Sequence, residues 1–576
     1  MAEQAPVNPQ LLDLRAITET LRGGKATDGW ISSWLPVTHG DPEAFSEVMY
    51  AYAGARRGSI FKSRPRDGYD LYHDAVTALL GKRRTALLGR EGEGWTSVSF
   101  ESLHARCNAL SAAWLDEDAA PGQSVAVVAS PGIDQAVGLL TAFRLGMLPT
   151  LIPPLGPAFV RDALARCEAE RVATAGRHRL LVGAQKEALP LSAGARGTGP
   201  TGSFTYPAGK PAARLLTPFG TAENGVVEVT ARTLLDGAVR DALFAYSLDA
   251  QDTLAAPGFD PVQHEPALLL ASLVVGATRA YLDERDLASE PELLGQFGVT
   301  TLGLHRSVRD RWMSEQRRLP PAVRLWFRSL TDVADGDRWD AFWRAIPTPK
   351  QPGCSVVSGA AAGGVGLFSA PSTAAPSTRV WPAPGVPWTL GELGASQVGA
   401  LNDTGVFRIH RGEEVDTAFL QAVIGRWGEG FVYGGALDVG PDAHPYPCAL
   451  AEQVVGDLPA VKHAAAFPAP GRWLNESRVV LLVFVEGRRP GEQPPISLPE
   501  IEKTLRRELG PRLLPDRIEV LPLRPRLMEG AVDRAWCRSQ YLTGSLHRKA
   551  RSEVFLLLGR LGYIFARDGN GVKSDS

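Results

Sequence analysis

The sequence predicts an α/β fold: a large N-terminal domain of stacked α/β sheets with a β-rich subdomain, then a small α+β C-terminal domain. Three observations carry that expectation. Short apolar strands alternate with amphipathic helices from Ala86 onward, which implies parallel βαβ units. Two stretches rich in Gly, Pro and Ala, 183–214 and 358–387, interrupt the rhythm and read as linkers or surface loops. At 576 residues the chain is too long for one compact core.

Each element follows in order. Residues 1–66 read as a helical lead-in bearing Trp and Tyr. The large domain spans 67–434. In it TALLGR, SVAVVAS and TLIPP read as strands, and SFESLHARCNALSAAWL and DQAVGLLTAFRLG as the helices between them. After 183–214 the rhythm returns with LLTPFG, GVVEVTARTLLDGAVRDALFAYSL and ALLLASLVVGATRAYL. The small domain spans 435–544. It offers PYPCALAEQVVGDL and LPEIEKTLRREL as helices, and AVKHAAAF and RVVLLVFVEG as strands. Residues 545–576 read as a helical extension and tail, with SEVFLLLGRLGYIF as a docking helix.

Composition excludes several functions. Lys plus Arg number 61 and Asp plus Glu 63, a net charge of −2, which argues against a nucleic-acid or anionic-membrane binder. The five cysteines have no CxxC spacing, so neither a disulfide framework nor a structural zinc site is expected. The first residues lack a basic n-region followed by an apolar run, so no signal peptide is expected. The longest apolar run, Ala267 to Ala277, is about eleven residues, well short of the roughly 20 that span a bilayer. The expected compartment is the cytoplasm.

Six segments, in order, resemble the adenylate-forming superfamily of acyl-CoA synthetases and nonribosomal peptide adenylation domains. VSFESLHARCNAL (98–110) is similar to the family's LTYxEL…N.LA segment. PGQSVAVVAS with TAFRLGMLPTLIPP resembles PGDxVA…LKAGAxxxPLDP. FDPVQHE (259–265) with LVVGAT resembles the FDxSxxE…LxxGA segment of amino-acid adenylation domains. RWGEGFVYGG, PYPCALAEQVVGDLPAVKHAAAF and GAVDR (530–534) resemble the hinge approach, the first small-domain element and the terminal GKVDR. The resemblance covers roughly residues 85–540.

The resemblance implies a site for ATP, magnesium and a carboxylic acid. Such chemistry needs a Gly/Ser/Thr loop around phosphates, a cation for developing charge, a carboxylate for magnesium and an acid for the ribose. The matching positions here lack those groups. The phosphate-loop match runs Leu215 to Gly225; Thr217 and Thr221 are degenerate positions within it, the Lys position holds Asn224 and Pro218 removes a backbone donor. The YGxTE match is Ser358-Gly359-Ala360-Ala361-Ala362, so Ala361 replaces the phosphate Thr and Ala362 the magnesium Glu. The ribose Asp falls on Val423, the hinge Arg on Ala436 and the terminal catalytic Lys on Ala531. Losing one charge-stabilising donor costs about 10²–10³ in rate, so ATP and magnesium binding are expected to be lost or weak, and no cofactor is expected.

Other candidates are weighed against simpler roles. The resemblance implies that Asp260, with Phe259, Ser358 and Gly359, binds substrate; the simpler reading of Asp260 is a helix N-cap. His264 and Glu265 are candidate catalytic groups for proton transfer, or an ordinary first-turn pair. Cys354 is a candidate nucleophile, or a small buried residue. His73-Asp74 reads as a solvated helix start and AAAGGVG as a loop. No metal ligands are expected.

Three functions remain open. The first is a non-catalytic binding protein in a biosynthetic pathway, with an acyl or peptidyl carrier protein, a pathway enzyme or a small acyl or amino-acid-like ligand as partner. The second is an ATP-independent thioester transferase between coenzyme A, or its phosphopantetheine, and a carrier. The third is an active ligase with unusual motifs.

Overall fold

The computed structural model describes residues 8–65, 67–182, 188–191, 199–216, 226–330, 336–346, 351–359, 362–373, 379–392, 404–411, 414–427, 430–436, 446, 448–470, 477–485, 496–528 and 531–550. The chain divides into two units, with the principal break between Leu437 and Asp438.

The larger unit is built on a 13-stranded sheet among the described residues. Its parallel centre runs through Thr85–Glu91, Thr278–Ala280, Thr253–Ala255, Thr301–Gly303, Leu325–Ser329 and Gly353–Gly359. From Gly353–Gly359 it continues antiparallel through Gly364–Phe368, Arg379–Pro382, Gly430–Ala436, Glu414–Trp427, Thr404–Arg411 and Trp388–Glu392. A second, parallel sheet orders Leu148–Ile152, Ser124–Val128, Arg171–Thr174 and Ala188–Pro190. Parallel strands are covered on both faces, which is why Ser124–Val128 is buried at every position.

The helices fall where caps and periodicity place them. Ser99 accepts from the Ser102 amide at 3.1 Å and starts Phe100–Asp116. Gly146, at φ 74°, ends Ile133–Leu145 in a left-handed conformation that glycine adopts without penalty.

The lead-in belongs to the large core. Helices Leu14–Arg22, Asp28–Gly40 and Pro42–Arg57 are capped by Asp13, Thr27 and Asp41. They bury Ile17, Leu21, Trp34, Phe45 and Met49 against the body of the unit, and Trp34 stacks on Phe244 at 5.8 Å. Arg22 and Arg324 both pair with Asp252, at 2.9 and 2.7 Å. Burial opposes ionisation of that carboxyl, but the two guanidiniums outweigh it and hold its pKa well below the usual range.

Three local expectations are corrected. The described parts of 183–214 include the strand Ala188–Pro190, the start of Pro211–Leu216, and Tyr206, which is buried and donates to the Met147 carbonyl at 2.8 Å. The stretch 358–387 contributes Gly364–Phe368 and Arg379–Pro382 to the main sheet, so part of AAAGGVG is strand rather than loop. Glycine serves close packing there: a Cβ on Gly237 would lie 1.7 Å from the Gly363 carbonyl, and Gly363 has φ +76°. Asp74 is fully buried, not solvated; it accepts from the Lys62 and Ser63 amides at 2.7 and 3.0 Å.

The smaller unit has a three-stranded sheet, Val461–Pro470, Ser477–Val485 and Arg517–Leu521, with helices Cys448–Gly456, Leu498–Glu508 and Arg534–Leu542. Among the described residues no helix is long and apolar enough to cross a membrane.

Candidate functional site

The candidate residues gather in the large unit, around a short helix and the ends of two strands. Thr253–Ala255 leads to Phe259 and Asp260, and Pro261–His264 is a single helical turn. Asp260 is exposed and accepts from the Val262 amide at 2.9 Å, so it caps that turn. Phe259 packs edge-on to Phe327 with ring centres 5.4 Å apart, and lies 4.7 Å from the His264 ring.

His264 and Ser358 come together. Ser358 Oγ lies 2.9 Å from His264 Nδ1, and both residues are buried. Burial, with His305 and Arg279 adding repulsion, pushes the imidazole down to about 3. The ring is therefore neutral at physiological pH. One of its nitrogens donates and the other accepts, and it is a weak proton acceptor. Gly359 follows Ser358 at the strand end; a Cβ there would meet nothing within 4 Å among the described residues.

Glu265 turns away from His264. Its Oε1 accepts from Arg279 Nη2 at 2.8 Å, and both side chains are buried. Arg279 sits 5.0 Å from the centre of the Tyr281 ring. Burial first, and Glu265 second, raise the Tyr281 phenol well above its usual value, which keeps its proton in place. Arg279 and Tyr281 were not singled out by sequence. Arg279 stands as a charge inside the apolar strand ATRAYL, which was the available signal.

Cys354 is buried, its thiol points at the Ala245 carbonyl at 3.6 Å, and burial pushes it up to about 12. A thiol so protonated is a poor nucleophile, and the small buried role describes it.

Chains of known structure share this architecture. An artificially fused adenylation–PCP di-domain NRPS from Klebsiella oxytoca matches with a TM-score of 0.61 at 14% identity, covering 78% of this chain and 85% of its own. An o-succinylbenzoate CoA synthetase from Bacillus subtilis matches at 0.61 and 15%, covering 81% and 97%. A fatty acyl-adenylate ligase from Legionella pneumophila matches at 0.58 and 13%, covering 82% and 96%. The fold is that of the adenylate-forming enzymes. These identities establish the fold alone; no protein-family profile and no curated protein matches the sequence.

The positions that the sequence resemblance matches to nucleotide binding fall as follows. Thr217, Thr221 and Asn224, between strands Pro211–Leu216 and Val226–Thr230, lie outside the described residues, as does Ala361. Ala362 is buried within the large apolar core. Val423 stands in Glu414–Trp427 opposite Gly435 and Val406, and Ala436 ends Gly430–Ala436 opposite Ala422. In the smaller unit Ala531 begins a two-residue strand opposite Met528. Asp533 caps the following helix, and Arg534 grips Glu452 through two bonds of 2.7 and 2.6 Å. The segment that carries Ala531 is thus well anchored.

Proposed function

We propose that this chain is an adenylate-forming fold that no longer makes acyl adenylates and acts as a binding partner in a biosynthetic pathway. The observation that carries this reading lies at one strand end. Where the resemblance requires an adenine-stacking aromatic and a magnesium-binding Glu, Ser358 faces His264 and Ala362 packs into the apolar core. Neither side chain can perform the nucleotide role: a serine presents no ring to adenine, and an alanine has no oxygen for a metal. Val423, Ala436 and Ala531 point the same way. A small acyl or amino-acid-like ligand near Phe259, Asp260, Ser358 and Gly359 fits this role, and so does a carrier protein. The Klebsiella oxytoca neighbour, an adenylation domain joined to a PCP, supports the carrier.

ATP-dependent pyrophosphate exchange tests this reading. With a panel of aryl, acyl and amino acids, exchange is expected at the no-enzyme background. Exchange with any acid would establish a working ligase and defeat the proposal.

A second reading, thioester exchange between coenzyme A and a carrier without ATP, is favoured by the anchored Ala531 segment. Asp533 and Arg534 hold that segment in place, although the Lys it would present in an adenylating enzyme is absent. Acyl transfer from acyl-CoA to a carrier protein in the absence of nucleotide would select it.

A further inference from the structure

A second cluster of titratable side chains reaches solvent at the carboxyl ends of three adjacent parallel strands. Glu284 follows Thr278–Ala280, Gly258 follows Thr253–Ala255 and His305 follows Thr301–Gly303, and these strands are neighbours in the main sheet. Open α/β sheets bind ligands at such ends. His305 Nδ1 lies 3.1 Å from Glu284 Oε1 and 2.8 Å from Ser307 Oγ, and the Ser307 hydroxyl donates to Glu284 Oε1 at 2.5 Å. The His305 and Glu284 side chains are 34 and 37% exposed. The cluster adjoins the candidate ligand residues. Gly258, at φ +84°, passes so close that a Cβ there would collide with Glu284 Oε1 and His305 Cβ, and Phe259 and Asp260 follow it.

The bonds fix the tautomer of the ring. A carboxylate only accepts, so the contact of Nδ1 with Glu284 places the proton on Nδ1. The Ser307 amide, 3.5 Å from Nδ1, is too distant for a firm cap. Among the described residues every hydrogen bond of the His305 ring is at Nδ1, so the Nε2 lone pair is available to a further group. His264, by contrast, is buried with its Nδ1 against Ser358. A carboxylate behind Nδ1 orients an imidazole, raises the basicity of Nε2 and stabilises the imidazolium once a proton arrives.

We infer that His305 Nε2 is the general base of an ATP-independent thioester exchange, with Glu284 and Ser307 as its positioning residues. This rests on the second reading above and names the residue that performs it. A carrier thiol arrives from solvent, so a base with accessible surface suits the step. Nε2 takes the thiol proton, and the thiolate attacks the carbonyl carbon of an acyl-CoA. The bond from that carbon to the coenzyme A sulfur breaks. The departing thiolate recovers the proton from the imidazolium. Acyl-CoA and carrier thiol become acyl carrier and coenzyme A, and no other reactant is consumed.

The test follows acyl transfer to pantetheine from acetyl-CoA and from benzoyl-CoA, with the full chain and no nucleotide. The unaltered chain is expected to exceed the rate without protein. His305→Ala, with its melting temperature checked, should lower kcat about a hundredfold, the contribution of a positioned base. Added imidazole should restore part of that loss, which a structural role would not allow. His305→Gln, which keeps a polar group at the helix start, should show the same loss and serves if His305→Ala folds poorly. Glu284→Gln removes the charge but keeps a hydrogen-bonding group, so kcat should fall about tenfold with KM unchanged. No transfer above background from either donor would overturn the inference and the second reading together. Transfer that both His305 variants leave unchanged, or that imidazole fails to restore in a folded His305→Ala, would overturn the inference alone. Pyrophosphate exchange decides the loss of adenylation separately.

Discussion

A buried imidazole at about 3 couples folding to pH. An unfolded histidine titrates near 6.5, so between those values the unfolded chain takes up a proton that folded His264 refuses. The stability that neutral His264 contributes is complete above about 6.5 and is lost as pH falls toward 3. Asp241 runs the other way. It is buried, accepts from the Val365 amide at 2.8 Å, and is pushed by burial up to about 6 despite Arg240. Its contribution is present below its unfolded value near 3.9 and is lost as pH rises through about 6. The two effects overlap, so a variant difference must separate them. His264→Gln keeps a partner for Ser358 and removes the titration. Between pH 6 and 4 the stability of His264→Gln should gain on the unaltered chain by about 1.4 kcal/mol per pH unit, read from urea midpoints of the large unit. A difference that does not change with pH would mean that His264 titrates normally.

At the scale of elements, glycine decides where a helix and a strand can approach. A Cβ on Gly237 would meet the Gly363 carbonyl at 1.7 Å, whereas one on Gly359 meets nothing within 4 Å among the described residues. Gly237→Ala should therefore force the helix Ala231–Arg240 away from the turn before Gly364–Phe368, at a cost of about 1–3 kcal/mol. Gly359→Ala should leave the melting temperature nearly unchanged. Equal melting temperatures for the two variants would contradict this packing. The same glycines explain what was legible in the sequence. The alternation of strands and helices was readable, because it is written locally in apolar periodicity and caps such as Ser99. The strands Gly364–Phe368 and Arg379–Pro382 were not, because their Gly and Pro content matches that of a linker, and only the long-range contact with Gly237 reveals its use. At the candidate site, Asp260 could be read as a cap from its place before Pro261. The Ser358–His264 and Glu265–Arg279 pairs could not. Ser358 is 94 residues from His264, and sheet order rather than sequence distance joins them.

For the whole molecule, the architecture is what the chain shares with its solved neighbours, and the proposed loss of chemistry concerns a small set of side chains. The larger unit holds the lead-in helices and, among the described residues, a 13-stranded sheet, the smaller unit holds the capped Arg534 helix, and the fold matches that of neighbours at 13–15% identity. Folding of this kind depends on apolar pattern and volume, which tolerate wide substitution. Nucleotide chemistry depends on a few charged and hydroxyl groups at fixed places, and the positions that the sequence resemblance matches to those places hold Asn224, Ala361, Ala362, Val423, Ala436 and Ala531. Fold and chemistry can therefore separate, and the proposed function is that they have done so in this chain. Calorimetric titration of the full chain with Mg-ATP measures that separation most directly. The account predicts no saturable heat and no rise in melting temperature at millimolar Mg-ATP. A saturable isotherm with micromolar affinity would contradict it.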